Sequence, residues 1–119
     1  MKIHLIGSVL ASAQGIGRKS ASGRVVIANN AEEAIAKAKE GCILVTNATD
    51  KDMMPAIEKC AALVTVEGGL TSHAAVVGLS QGIPVIVGFE NATTVLQDNQ
   101  VITVDSRSGR IYEGNTGIL

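Results

Sequence analysis

The chain has 119 residues, 46% of them hydrophobic, and a formal net charge of −1. That length fits one domain around a single core, and near-neutrality argues against a nucleic-acid or membrane surface held by charge. With only Phe89, Tyr112 and no Trp, a base-stacking platform for single strands is excluded as well. In chain order, Ile3 to Leu10 reads as a first strand. Gln14 to Gly23 follows as a glycine-rich connection. It is not a phosphate-binding P-loop, because Arg18 separates Gly17 from Lys19 and a β-branched strand, Arg24 to Ala28, follows where a helix is required.

Asn30 then caps a helix running from Ala31 to Glu40 and closed by Gly41. Cys42 to Thr46 is wholly apolar until its last residue, as expected of a strand covered on both faces. Asp50 to Ala62 reads as a loop and a short helix with Pro55 near its start. A strand over Leu63 to Val66, a helix over Thr71 to Leu79 and a strand over Pro84 to Val87 complete the middle. Val101 to Val104 and Arg110 to Tyr112 flank Asp105 to Gly109 as a β-hairpin. Strand–helix–strand units imply parallel pairing with right-handed crossovers, and strands at both ends imply an antiparallel layer. The expected fold is α/β, a three-layer β/β/α domain over residues 1–119 with a central, partly parallel sheet.

Cys42 and Cys60 stand far apart in sequence, without a Cys-x-x-Cys or a neighbouring histidine. Two reduced core thiols are expected, and no metal site. No apolar run is long enough to cross a bilayer, and Gly7 and Ser8 interrupt any signal-peptide core. A cytoplasmic setting is expected.

The chemistry concentrates in Gly68-Gly69-Leu70-Thr71-Ser72-His73-Ala74-Ala75. Gly68 and Gly69 end a strand and permit a turn with positive φ. Thr71 is expected as the N-cap, which places His73 in the first turn of the helix, beside free amides and the positive end of the dipole. A neutral imidazole there is a nucleophile, and an anion on it meets amides instead of water. Spacing alone favours a capping or packing role for His73 over a nucleophilic one.

This run, with Gly82-Ile83-Pro84-Val85-Ile86-Val87-Gly88, resembles the signature of the swivelling phosphohistidine domain of phosphoenolpyruvate-utilising enzymes. The resemblance covers nearly the whole chain and implies the same β/β/α fold. It implies His73 as phosphoryl acceptor, with Gly68, Gly69, Thr71 and Ser72 as anion-binding positions. Thr46, Thr49 and Asp50 or Asp52 fall in the family's threonine- and aspartate-containing loop, and Val104-Asp105, Gly109 and Gly114 in its closing hairpin.

Asp52-Met53-Met54-Pro55-Ala56-Ile57-Glu58-Lys59 and Glu67 to Ser80 are similar, more narrowly, to the extra C-terminal domain of some bacterial pyruvate kinases. This likeness implies a fragment of a longer glycolytic phosphotransferase, with Mg²⁺ and K⁺ belonging to that parent and no cofactor in this domain. The implied partners are the parent's other domains and a phosphoryl group or small anion. One position departs from the carriers: Val76-Val77 is followed by Gly78-Leu79 where they have Ala-Arg, and leucine cannot pair with phosphate. Two readings follow: a structural or regulatory domain without turnover of its own, or an active carrier of the synthase or dikinase type.

Overall fold

The computed structural model describes residues 9–69 and 71–114. The strands are β1 (Val9–Ser12), β2 (Gln14–Ile16), β3 (Ser20–Ile27), β4 (Cys42–Thr46), β5 (Cys60–Thr65), β6 (Val85–Val87), β7 (Val101–Asp105) and β8 (Arg110–Glu113). The helices are α1 (Ala31–Lys37), α2 (Met54–Ile57), α3 (His73–Gln81) and α4 (Ala92–Val95), with a 3₁₀ turn at Lys51–Met53 leading into α2. One continuous eight-stranded ladder runs in the order β1-β8-β7-β3-β4-β5-β6-β2.

β3 divides this ladder into two layers. Its first residues, Ser20 to Arg24, pair antiparallel with β7. Val25 to Ile27 pair parallel with β4. From there β4, β5 and β6 are parallel, and β2 closes the edge antiparallel to β6. β1, β8 and β7 form the antiparallel layer.

The pleat explains why the central strands are apolar throughout. In β4, Cys42 and Leu44 face the helices, while Ile43 and Val45 face the antiparallel layer. Successive side chains point to opposite faces, so a strand covered twice needs apolar residues at every position. One apolar layer joins Leu44, Leu63 and Val85 to Ala34, Ile57 and Ala75 of the helices. The other joins Val45, Val64 and Ile86 to Ile102, Val104 and Ile111, with Phe89, Ala92 and Leu96 closing its end. The single core expected from length is therefore two, because one sheet carries a separate apolar layer on each side. The β/β/α architecture is the one expected.

Several boundaries differ. Residues Ile3 to Ser8 of the expected first strand lie outside the described residues, and β1 continues to Ser12. The glycine-rich connection is largely strand, since Gln14–Ile16 pairs with β6 and Ser20 onward pairs with β7. α1 stops at Lys37 instead of Glu40, because Ala38 turns extended (φ −65°, ψ 138°). That exit lets the Gly41 amide reach the Lys59 carbonyl at 2.8 Å and start β4 beside β5. β5 begins at Cys60, three residues before the expected start, drawn in by pairing with Cys42. The short helix α4 has no strong apolar period and went unanticipated. The helix after the glycine turn begins at His73 and runs to Gln81, with Gly82 (φ 72°) as its left-handed C-cap.

Candidate functional site at the start of α3

The site lies at the carboxyl ends of parallel strands β4 and β5, where open α/β sheets commonly present ligand sites. Each strand ends in a buried threonine that folds its hydroxyl onto the departing chain. Thr46 Oγ1 donates to the Ala48 carbonyl at 3.4 Å, and Thr65 Oγ1 to the Glu67 carbonyl at 2.8 Å. The two exits stay paired, with the Val66 amide on the Thr46 carbonyl at 3.1 Å and Glu67 on Asn47 at 2.8 Å. Two loops are thereby held side by side.

Gly69 has φ 121°, a conformation closed to most L residues. The Ser72 amide returns to its carbonyl at 3.3 Å. Gly68 is packed tightly, and a Cβ there would crowd the Gly88 backbone at 3.0 Å from its Cα.

The cap is Ser72, not Thr71. Ser72 is extended (φ −65°, ψ 158°), and its Oγ accepts the Ala75 amide at 3.3 Å. Thr71 is exposed one position earlier, too far from the third helical amide to serve it. Starting one residue later makes His73 the first helical residue. The helix's own ladder offers no acceptor to the amides of His73 and Ala74.

His73 is exposed, and its Nδ1 lies 2.7 Å from Thr49 Oγ1. This contact engages Nδ1, and Nε2 has no hydrogen-bond partner among the described residues. If Nδ1–H donates to the hydroxyl, Nε2 carries the free lone pair; if the hydroxyl donates, Nε2 carries the proton. The first arrangement is the one a nucleophile needs. A shallow depression beside the ring is lined by Ala48, Thr49, Thr65, Glu67, Ser72 and Ala74. Among these residues there is no lysine or arginine, and Glu67 contributes a carboxylate.

The structure thus brings His73, Ser72 and Thr49 together, with Gly68 and Gly69 shaping the approach. Thr71 makes no described side-chain hydrogen bond. Asp50 instead caps the 3₁₀ turn, its Oδ1 accepting the Asp52 amide at 2.9 Å. Leu79 projects from α3 with 62% of its surface exposed. Sequence reasoning missed Thr65, the polar last residue of β5, and Glu67, which stands just beyond that apolar strand; their polarity at the strand's end was the available signal.

The description "PEP-utilising enzyme, mobile domain" matches residues 38–109. The chain belongs to this family of phosphoenolpyruvate-utilising mobile domains. Over all of its length it is 62% identical to a pyruvate kinase of Bacillus licheniformis and 64% identical to one of Geobacillus stearothermophilus, covering 20% of each. It therefore spans about a fifth of these relatives. A solution structure of Enzyme I superposes with a TM-score of 0.57 at 22% identity, over 66% of this chain and 33% of that one. At that identity the likeness concerns the fold alone.

Proposed function

We propose that residues 1–119 form the C-terminal mobile-type domain of a pyruvate kinase, a structural or regulatory unit that does not itself turn over phosphate. The parent reaction would be glycolytic phosphoryl transfer between phosphoenolpyruvate and ADP in the cytoplasm. The partners of this domain would be the parent's other domains. The observation that carries the proposal is 62–64% identity over the whole chain to a stretch that makes up 20% of the length of two pyruvate kinases.

The site's electrostatics support the non-catalytic half. Phosphoryl transfer rests on cations placed around the transferring oxygens. The depression beside His73 offers Glu67 and no cation, and Leu79 stands exposed where carriers have arginine. Among the described residues no group of three or more His, Cys, Asp or Glu could hold a metal. Mg²⁺ and K⁺ would belong to the parent's other domains. Gly68, Gly69, Thr71, Ser72 and His73 would form a weak anion-tolerant or docking surface, drawing on first-turn amides.

The second reading, a working carrier with His73 as phosphoryl acceptor, is favoured by the Thr49 contact, which engages Nδ1 and leaves Nε2 without a partner among the described residues. Incubation with radiolabelled phosphoenolpyruvate and Mg²⁺ separates the two. Absence of label is the expected result. Label stable to alkali, lost in acid and abolished in His73→Ala would establish the carrier. The appendage reading is tested in the full-length enzyme, where removal of the domain should leave kcat within about twofold. A larger fall in kcat would overturn it.

A further inference from the structure

At the amino ends of β4 and β5, the pole opposite His73, Cys42 and Cys60 are direct partners in the parallel ladder. The next pair is Ile43 with Ala62, so the register shifts there and Ala61 is the additional residue. An extra residue reverses the alternation of faces. Cys60 and Leu63 therefore both face the helices, and Cys60 meets Cys42 across the strands. Their sulfurs lie 3.6 Å apart and both thiols are free.

The two sulfurs have different surroundings. Both thiols are buried, and Cys60 Sγ donates to the Ala56 carbonyl at 3.1 Å. Cys42 forms part of the wall of an open cavity of about 380 Å³, together with Arg24, Lys37, Lys39, Glu40 and Gly41. Three cations against one carboxylate favour an anionic occupant. Lys37 is engaged with Asp98 at 2.9 Å and Arg24 with the Asn99 carbonyl at 3.1 Å. Lys39 has no described partner.

We propose that Cys42 is a modification site, which takes up one half of a small anionic disulfide entering this cavity and passes the linkage to Cys60. In the first step the Cys42 thiolate attacks one sulfur of R–S–S–R. A Cys42–S–S–R linkage forms as the S–S bond of the incoming disulfide breaks, and its other half leaves as R–S⁻ and takes the proton that Cys42 lost. Cys60 then gives up its proton, attacks the Cys42 sulfur and expels the second R–S⁻, which that proton neutralises. Two protein thiols are oxidised to one Cys42–Cys60 disulfide, and one R–S–S–R is reduced to two R–SH.

The order follows from the environment. When Cys42 ionises, the single S–H of Cys60 can turn from the Ala56 carbonyl to Cys42 Sγ, 3.6 Å away; that hydrogen bond outweighs burial and the nearby Glu40 charge and brings the Cys42 thiol down to about 7. The same pairing, with burial, pushes Cys60 up. An attacking thiol works best with a pKa near ambient pH. Adjacent strands lie about 4.8 Å apart, within the roughly 4.4–6.8 Å that a disulfide spans between Cα atoms. Cys42 is only 4% exposed, so exchange is slower than for a surface thiol but needs no global unfolding.

The test is incubation of the reduced 119-residue chain with oxidised glutathione at neutral pH, followed by intact mass and alkylation. The expected product has lost two hydrogens and resists alkylation at both cysteines, and dithiothreitol restores it. Cys60→Ala should stop at a mixed disulfide on Cys42, while Cys42→Ala should react at least about tenfold more slowly. Lys39→Glu should slow exchange with oxidised glutathione roughly threefold or more and leave exchange with neutral hydroxyethyl disulfide unchanged. If the alanine variants fail to fold, peptide mapping of the wild-type chain after brief exposure should find the first adduct on Cys42. The proposal is overturned if the first adduct is on Cys60, if both thiols persist under native conditions, or if oxidation occurs only where circular dichroism shows unfolding.

Discussion

Gly78 shows how much a single missing methyl decides. It sits mid-helix in α3, where glycine costs about 1 kcal/mol relative to alanine. Propensity alone would make Gly78→Ala stabilising. A Cβ at this position, however, would lie 2.0 Å from Val85 Cγ2 and 3.3 Å from Val85 Cβ on β6. A β-branched side chain buried in the sheet has little room to rotate away. Overpacking of this kind costs about 1–3 kcal/mol, which exceeds the propensity gain. Gly78→Ala should therefore lower stability in urea denaturation; a raised midpoint would show that α3 moves off β6 cheaply.

At the scale of elements, α1 has seven residues and depends on its ends. Asn30 Oδ1 accepts the Glu33 amide at 2.8 Å, and Glu33 Oε1 reaches back to the Asn29 amide at 2.9 Å. This reciprocal arrangement serves two amides that the helix cannot. Asn30→Ala should cost about 1 kcal/mol, read as a lower thermal or urea midpoint. At the other end of α1, Lys37 pairs with Asp98, whose Oδ1 also accepts the Ile27 amide at 2.8 Å.

Chiefly that amide, and then Lys37, hold the Asp98 carboxyl below its ordinary value of 3.8. A depressed folded-state pKa means stability that is present above the unfolded value and lost as pH falls through the folded value. The stability difference between wild type and Asp98→Asn should be constant near neutrality and shrink below about pH 4. With the pair's side chains 37% and 45% exposed, solvent screening keeps the ion-pair part small. A difference that grows as the solution is acidified would contradict this account.

Across the whole molecule, the ladder curls until its two ends approach. The Ala13 amide, between β1 and β2, donates to the Gly109 carbonyl at 2.7 Å. β2 passes so close to the β7–β8 turn that a Cβ on Gly15 would fall 2.0 Å from the Ser106 carbonyl oxygen. Backbone on both sides leaves no side chain free to give way. Gly15→Ala should therefore cost more than the about 0.5–1 kcal/mol by which alanine ordinarily favours a strand over glycine. It should also speed exchange of the Ile16 amide with deuterium. Unchanged exchange would mean that the two ends of the ladder are independent. By joining its ends the ladder protects edge strands that would otherwise be open to pairing with other chains.

The order of the central strands and helices from β3 to β6 and the placement of His73 in a first turn were legible in the sequence, because local patterns produce them, whereas β2 and α4 were not. β4 is apolar at every position until Thr46, Asn30 precedes a run of helix formers, and Gly69 must adopt a positive φ. The helix limits were less legible: Ser72 displaced Thr71 as cap, and α1 ended at Lys37 once Gly41 had to meet Lys59. The contacts that give the molecule its chemistry were not legible, since they join residues distant in sequence. Thr49 meets His73 because the ends of β4 and β5 are paired. Glu67 faces the same depression for the same reason. Cys42 meets Cys60 because one extra residue at Ala61 turns a thiol to the other face. Sequence determines what each segment can form; only the packed sheet decides which side chains share a site.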